Sequence, residues 1–74
     1  MDDRYTYFIR LWNRDGDELD LEHHESEYRA WQQIDGMQSN PDSIINTDGK
    51  WTDYDIVRLD WHTHEEMVVD GGEL

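Results

Sequence analysis

The residues in this chain best suited to holding a metal are its histidines. His62 and His64 stand two apart with Asp60 in the same alternation, and His23-His24 closes a separate alternating stretch. On a strand, residues at i and i+2 project from one face, so Asp60, His62 and His64 would offer zinc or nickel one oxygen and two nitrogens. The competing reading is a set of exposed polar side chains at strand ends, and no HExxH or other scaffolded ligand motif stands beside them. Asp60, His62 and His64 are the metal candidates, and the expectation is that neither metal nor cofactor is bound.

Catalysis has less to build on. Nineteen acidic residues in 74 form carboxylate pairs by chance alone. The chain contains no Cys, no GxSxG and no phosphate-cradling glycine loop. A domain of this size also has little room for a pocket of several hundred Å³. The chain is expected not to be an enzyme.

The acids carry a stronger signal. Asp15, Asp17, Glu18, Asp20, Glu22, Glu25 and Glu27 follow one another with no Lys or Arg between them, in a chain of formal net charge −13. On a strand, Glu18, Asp20 and Glu22 project from one face about 6.6 Å apart, following a rise of about 3.3 Å per residue. Each strand of a duplex carries a charge about every 3.4 Å, so one such row has half that density. A second row is needed to imitate nucleic acid, and Asp53, Asp55, Asp60, Glu65 and Glu66 are the residues to supply it if the fold brings them close. This pattern suits a decoy or steering surface for a basic protein, and the same charge disfavours direct nucleic-acid binding. Acidity of this kind also arises as adaptation to a salty cytoplasm or for simple solubility.

Aromatic residues must do much of the packing, because the hydrophobic share is only 35% and includes four Trp and four Tyr. Trp31 and Trp61 fit the core by periodicity. Phe8 and Trp12, flanked by Arg10 and Arg14, share a face opposite Ile9 and Leu11. That face is either an apolar contact patch or is buried beneath a loop or a second copy of the chain.

The positioning elements follow from period and punctuation. Residues 4–12 alternate with period two, and Asn13-Arg14-Asp15-Gly16-Asp17 then turns the chain into Leu19 and Leu21, predicting a β-hairpin. Ser26 and Glu27 open a helix whose inner stripe is Tyr28, Trp31, Ile34 and Met37. Gly36 and Asn40-Pro41 place its end between Asp35 and Gln38. Residues 41–54 read as a short strand or ordered loop with a turn at Thr47-Asp48-Gly49-Lys50. Residues 55–63 alternate again, with Val57, Leu59 and Trp61 inward and Ile56 outward, and Met67-Val68-Val69 forms a last strand. The expected fold is α+β, a two-layer ββαββ with an antiparallel sheet of about four strands on one helix. It is read as one domain over residues 1–74, with 71–74 a frayed tail.

The run Tyr-Thr-Tyr-Phe-Ile-Arg-Leu-Trp, the turn at Asp15-Gly16, the helix after Ser26 and the returning Asp-Ile-Val-Arg-Leu strand resemble the layout of small acidic accessory proteins of phages and mobile elements, anti-CRISPR proteins among them. The resemblance covers most of the chain through element order, length and charge. It implies a stoichiometric inhibitor that docks on a CRISPR effector or another defence or nucleic-acid enzyme.

The functional expectation is an acidic protein-binding module, an inhibitor or nucleic-acid mimic, contacting a basic partner through Asp17, Glu18, Asp20, Glu22, Asp53, Asp55, Phe8 and Trp12. The alternatives are a structural or regulatory interaction protein, as monomer or homodimer, and a histidine-based metal binder. With no Cys, no apolar leader after Met-Asp-Asp-Arg and no run of roughly 20 apolar residues, a cytoplasmic location off the membrane is expected.

Overall fold

The computed structural model describes residues 4–74. Its elements in chain order are β1 (Tyr5–Trp12), β2 (Glu18–Asp20), α1 (Glu27–Ser39), α2 (Ile44–Thr47), β3 (Asp53–Asp60) and β4 (Glu66–Glu73). The strands form one sheet in the order β2-β1-β3-β4, with every neighbouring pair antiparallel. The architecture is the α+β arrangement expected, with a one-turn helix added at residues 44–47. Because β2 and β3 both run against β1, they run parallel to each other. The chain between them must therefore cross over the sheet, and α1 makes that crossing.

Local chemistry explains the turns and helix ends. Asn13 Oδ1 accepts from the N–H groups of Asp15 and Asp17, and Gly16 takes φ 93°, which closes the β1–β2 hairpin. Ser26 caps α1 by accepting from the Arg29 N–H at 3.2 Å. The helix outlasts its expected end by one residue or more, running through Gly36 to Ser39. Pro41 stops it instead: the residue before a proline is pushed out of the helical region, and Asn40 sits at φ −99°, ψ 112°. The segment that follows is tied down by Asn46, whose side-chain amide donates to the Asn40 carbonyl at 2.7 Å and the Met37 carbonyl at 3.2 Å.

The core lies between the sheet and α1. Ile9, Leu11, Ala30, Ile34 and Ile56 are fully buried there, with Ile45, Trp51 and Tyr54 closing its sides. Trp31 meets Tyr54 edge-on at 6.2 Å. Burial raises the Tyr54 hydroxyl pKa, and the negative charges of Asp70 and Asp35 push it the same way.

Three sequence expectations are corrected here. Tyr28 is 69% exposed. At 100° per residue it stands about 120° around the helix from Ile34, and Ala30 takes its place in the stripe. The inward face of β3 is Tyr54 and Ile56, because Ile56 pairs with Ile9 and Tyr54 with Leu11, and directly opposed residues share a face. Val57 and Leu59 therefore face away from the helix, and Trp61 stands in the turn after the strand, 47% exposed. Residues 71–74 are not a frayed end: Gly71, Gly72 and Glu73 complete β4, and the Leu74 N–H donates to the Thr52 carbonyl at 2.9 Å. Ile56 pairs with Asp70 and Val57 with Val68, so Val69 is an extra residue that bulges inward onto the core.

Candidate interaction face

The register of the sheet decides what its uncovered side presents. Across the strands from β2 to β4, one row reads Glu18, Trp12, Asp53, Glu73 and the next reads Asp20, Arg10, Asp55, Gly71. Further along, Phe8, Val57 and Val68 form a third row, and Thr6, Leu59 and Glu66 a fourth. Most of the acids thus lie in the first two rows, around Trp12 and Arg10, and most of the apolar side chains in the last two, where Glu66 is the exception.

Arg10 is the cation within the acidic rows, and it is already engaged. Its guanidinium makes two hydrogen bonds to Asp20, at 2.7 and 3.1 Å, and reaches Glu66 at 3.2 Å. These contacts, the Asp20 hydrogen bond foremost, raise its already high pKa against the opposing effect of burial. On the way it crosses Phe8, 5.3 Å from the ring centre. Asp20 and Glu66 are thereby partly neutralised, whereas Arg10 makes no such bond to Glu18, Asp53, Asp55 or Glu73.

Phe8 is only 1% exposed although no helix covers it. The His23 ring stacks on it at 4.6 Å, and the Trp61 ring lies 6.0 Å from His23. Thr6 Oγ1 joins the two, accepting from Trp61 Nε1 at 2.9 Å and lying 2.8 Å from His23 Nδ1. A direct contact through Phe8, one of the two expectations, is closed off by this roof. Three of the four indole N–H groups have acceptors: Trp31 donates to Glu27, Trp51 to Asp48 and Trp61 to Thr6. Trp12 Nε1 is buried and has no partner among the described residues.

Glu18, Asp20, Asp53, Asp55 and Trp12 share the face on which the sequence placed them. Glu22 lies beyond the end of β2, and its carboxylate accepts from Gln33 of α1 at 3.1 Å, away from the row. Asp17 sits in the hairpin turn beside Asn13 and Lys50. Glu66, one of the residues expected to supply further acids, joins the face on β4, and Glu73 and Val68 complete it without having been foreseen. Glu66 and Val68 keep the plain alternation of the strand, whereas the side taken by Glu73 depends on the bulge at Val69, an extra residue that period two cannot register.

The histidine candidates do not converge. Asp60 ends β3, and its carboxylate accepts from Arg4 at 3.0 Å and from the His62 backbone N–H at 2.9 Å. The Arg4 hydrogen bond is the chief reason its pKa falls to about 2. His62 lies in the turn and His64 takes φ 63°, so strand alternation does not put them on one face with Asp60. Among the described residues no three His, Asp or Glu side chains group as a metal would need. No helix among these residues is long and apolar enough to cross a membrane.

No protein-family model, curated protein or solved structure matches the chain.

Proposed function

We propose that this chain is a small acidic protein-binding module whose uncovered sheet face engages a basic protein surface of the kind used to hold nucleic acid. A CRISPR effector or another defence enzyme is the sort of target its resemblance to phage accessory proteins would imply. One observation carries the reading: the register sets Glu18 and Asp20 on β2 beside Asp53 and Asp55 on β3, with β1 between them. Carboxylates on alternate residues of one strand lie about 6.6 Å apart, and β2 and β3 are separated by about 9.6 Å, twice the usual strand spacing. This is the second row that a single line of strand carboxylates lacks. Such a field attracts a cationic partner from beyond contact and is screened by salt.

The test is charge reversal with salt as the second variable. Lysate from the source organism is passed over the immobilised chain, and what elutes between low and high salt is identified. A basic nucleic-acid-binding protein should elute and should be lost by a variant with Glu18→Lys, Asp20→Lys, Asp53→Lys and Asp55→Lys. Retention of the same partner by that folded variant would sink the reading.

A second reading is favoured by the other end of the face, where Trp61 is 47% and Val68 57% exposed. A regulatory protein docking through those apolar side chains would bind with little salt dependence or more tightly at high salt.

A further inference from the structure

The two edges of the sheet differ in length and in protection. β2 offers three residues at one edge, and short edge strands are poor templates for another chain. β4 offers eight at the other, with every residue exposed except the half-buried Val69. It contains no proline, lysine or arginine.

Two terminal hydrogen bonds fix which way its backbone points. The Asp60 N–H donates to the Glu65 carbonyl at 2.9 Å, and the Leu74 N–H donates to the Thr52 carbonyl at 2.9 Å. In an antiparallel ladder, hydrogen-bonded and non-hydrogen-bonded pairs alternate. Counting inward from the Asp60–Glu65 and Thr52–Leu74 pairs through the observed register, Met67, Asp70 and Gly72 face β3, whereas Glu66, Val68, Gly71 and Glu73 turn their N–H and C=O groups to the open edge. Gly71 shows this directly: its N–H is capped by the Asp70 carboxylate at 2.8 Å instead of by β3.

Carboxylates gather along the same edge. Asp70 and Glu73 belong to β4 itself, as does Glu66, which is shared with Arg10, and Asp55 leans across Gly71, where an added Cβ would stand 2.9 Å from Asp55 Oδ1. A second copy of this chain is a poor occupant, because two chains of charge −13 repel and antiparallel β4 strands would bring these acids together. Charge complementarity selects a basic one. The geometry points to β4 as a strand-addition site that takes an extended, lysine- or arginine-bearing segment of a partner protein as a fifth strand of the sheet. This rests on the acidic-module reading and specifies how it is used: main-chain bonds to Glu66, Val68 and Glu73 supply affinity and register, while the carboxylates select the charge of the incoming strand.

The probe is a peptide of alternating Lys and Val matched in length to β4, compared with the same peptide N-methylated along its backbone. Methylation keeps charge and composition but removes the donors. The unmodified peptide is expected to bind at low ionic strength and to slow amide exchange at Glu66, Val68 and Glu73. The methylated peptide should bind about tenfold more weakly or worse, since each lost hydrogen bond is worth about 1 kcal/mol and 1.4 kcal/mol is tenfold. Val68→Pro, which removes one outward N–H and no ladder bond, should weaken the unmodified peptide similarly with the circular dichroism unchanged. Equal binding of both peptides, or exchange protection away from β4, overturns the strand-addition site and leaves the acidic-face reading standing. Failure of both peptides to bind at low salt overturns the two together.

Discussion

The two faces of the sheet bury their central residues equally and by different means. On one, Ile9 and Ile56 are covered by Ala30 and Ile34 from α1, with apolar atoms on both sides of the contact. On the other, Phe8 and Val57 reach the same burial with no helix over them; Arg10 and His23 stack on Phe8, and Trp61 stands beside His23. A chain of 74 residues with one substantial helix can lay a second layer on one face only. The opposite face is closed by long side chains that bury their flat or aliphatic parts and keep their polar ends in hydrogen bonds. Packing on that side is consequently tied to a polar network, through Thr6, Asp20 and Glu66, that the helical side does not need.

The largest effects should separate the faces. Ile34→Ala opens a cavity in a layer that cannot collapse onto it, and should cost about 2–5 kcal/mol in urea unfolding. His23→Ala uncovers Phe8 on a face where water and neighbouring side chains can fill in, and should cost about 1–2 kcal/mol, an aromatic contact plus modest area. Equal losses from the two would mean that the side-chain roof is as cohesive as the helix, and the contrast would fail.

A smaller effect is expected at Trp12, at the acidic end of the outer face. Its unpartnered indole N–H carries a desolvation cost, so Trp12→Phe removes that cost along with some apolar area, and the change should stay within about 1 kcal/mol of zero. A loss of several kcal/mol on denaturant unfolding would show that the indole N–H is satisfied in solution.

The smallest effect lies at the rim, where Arg4 and Asp60 tie the start of β1 to the end of β3. Because the Asp60 pKa is lowered from 3.8 to about 2 in the folded chain, its contribution to stability is fully present above about pH 4–5 and fades as pH falls through 2. Asp60→Asn should lower stability slightly at neutral pH, with the difference from the parent shrinking below about pH 4 and vanishing only below pH 2. A difference that stays constant across a pH series of thermal melts would assign the effect to the lost Arg4 geometry and not to the charge.

Legibility in the sequence tracked how local each signal was. β1 and its hairpin could be read from period two and Gly16, and the start of α1 from Ser26 and Glu27, because the deciding hydrogen bonds close within a few residues. The end of α1 was misplaced because Gly36 is also tolerated inside a helix, and Pro41 alone carried the stop. The face of β3 was inverted since Ile56 and Val57 are adjacent and equally apolar, so alternation fits either choice. For the candidate face, Glu18, Asp20, Asp53 and Asp55 were legible from spacing along their own strands, while the diversion of Glu22 to Gln33 and the covering of Phe8 by His23 involve partners 11 and more residues away.

The sequence by itself determined the charge, the order of the four strands around the main helix and the alternation that makes them the favourable outcome, since these depend on composition and on contacts between near neighbours. Only the tertiary structure decided which carboxylates stand side by side, which aromatic is roofed and which strand is left with an open edge. Those facts follow from strand register and a single bulged residue at Val69, set by the joint packing of Ile9, Leu11, Tyr54 and Ile56 against α1, and no one segment of the chain contains that information.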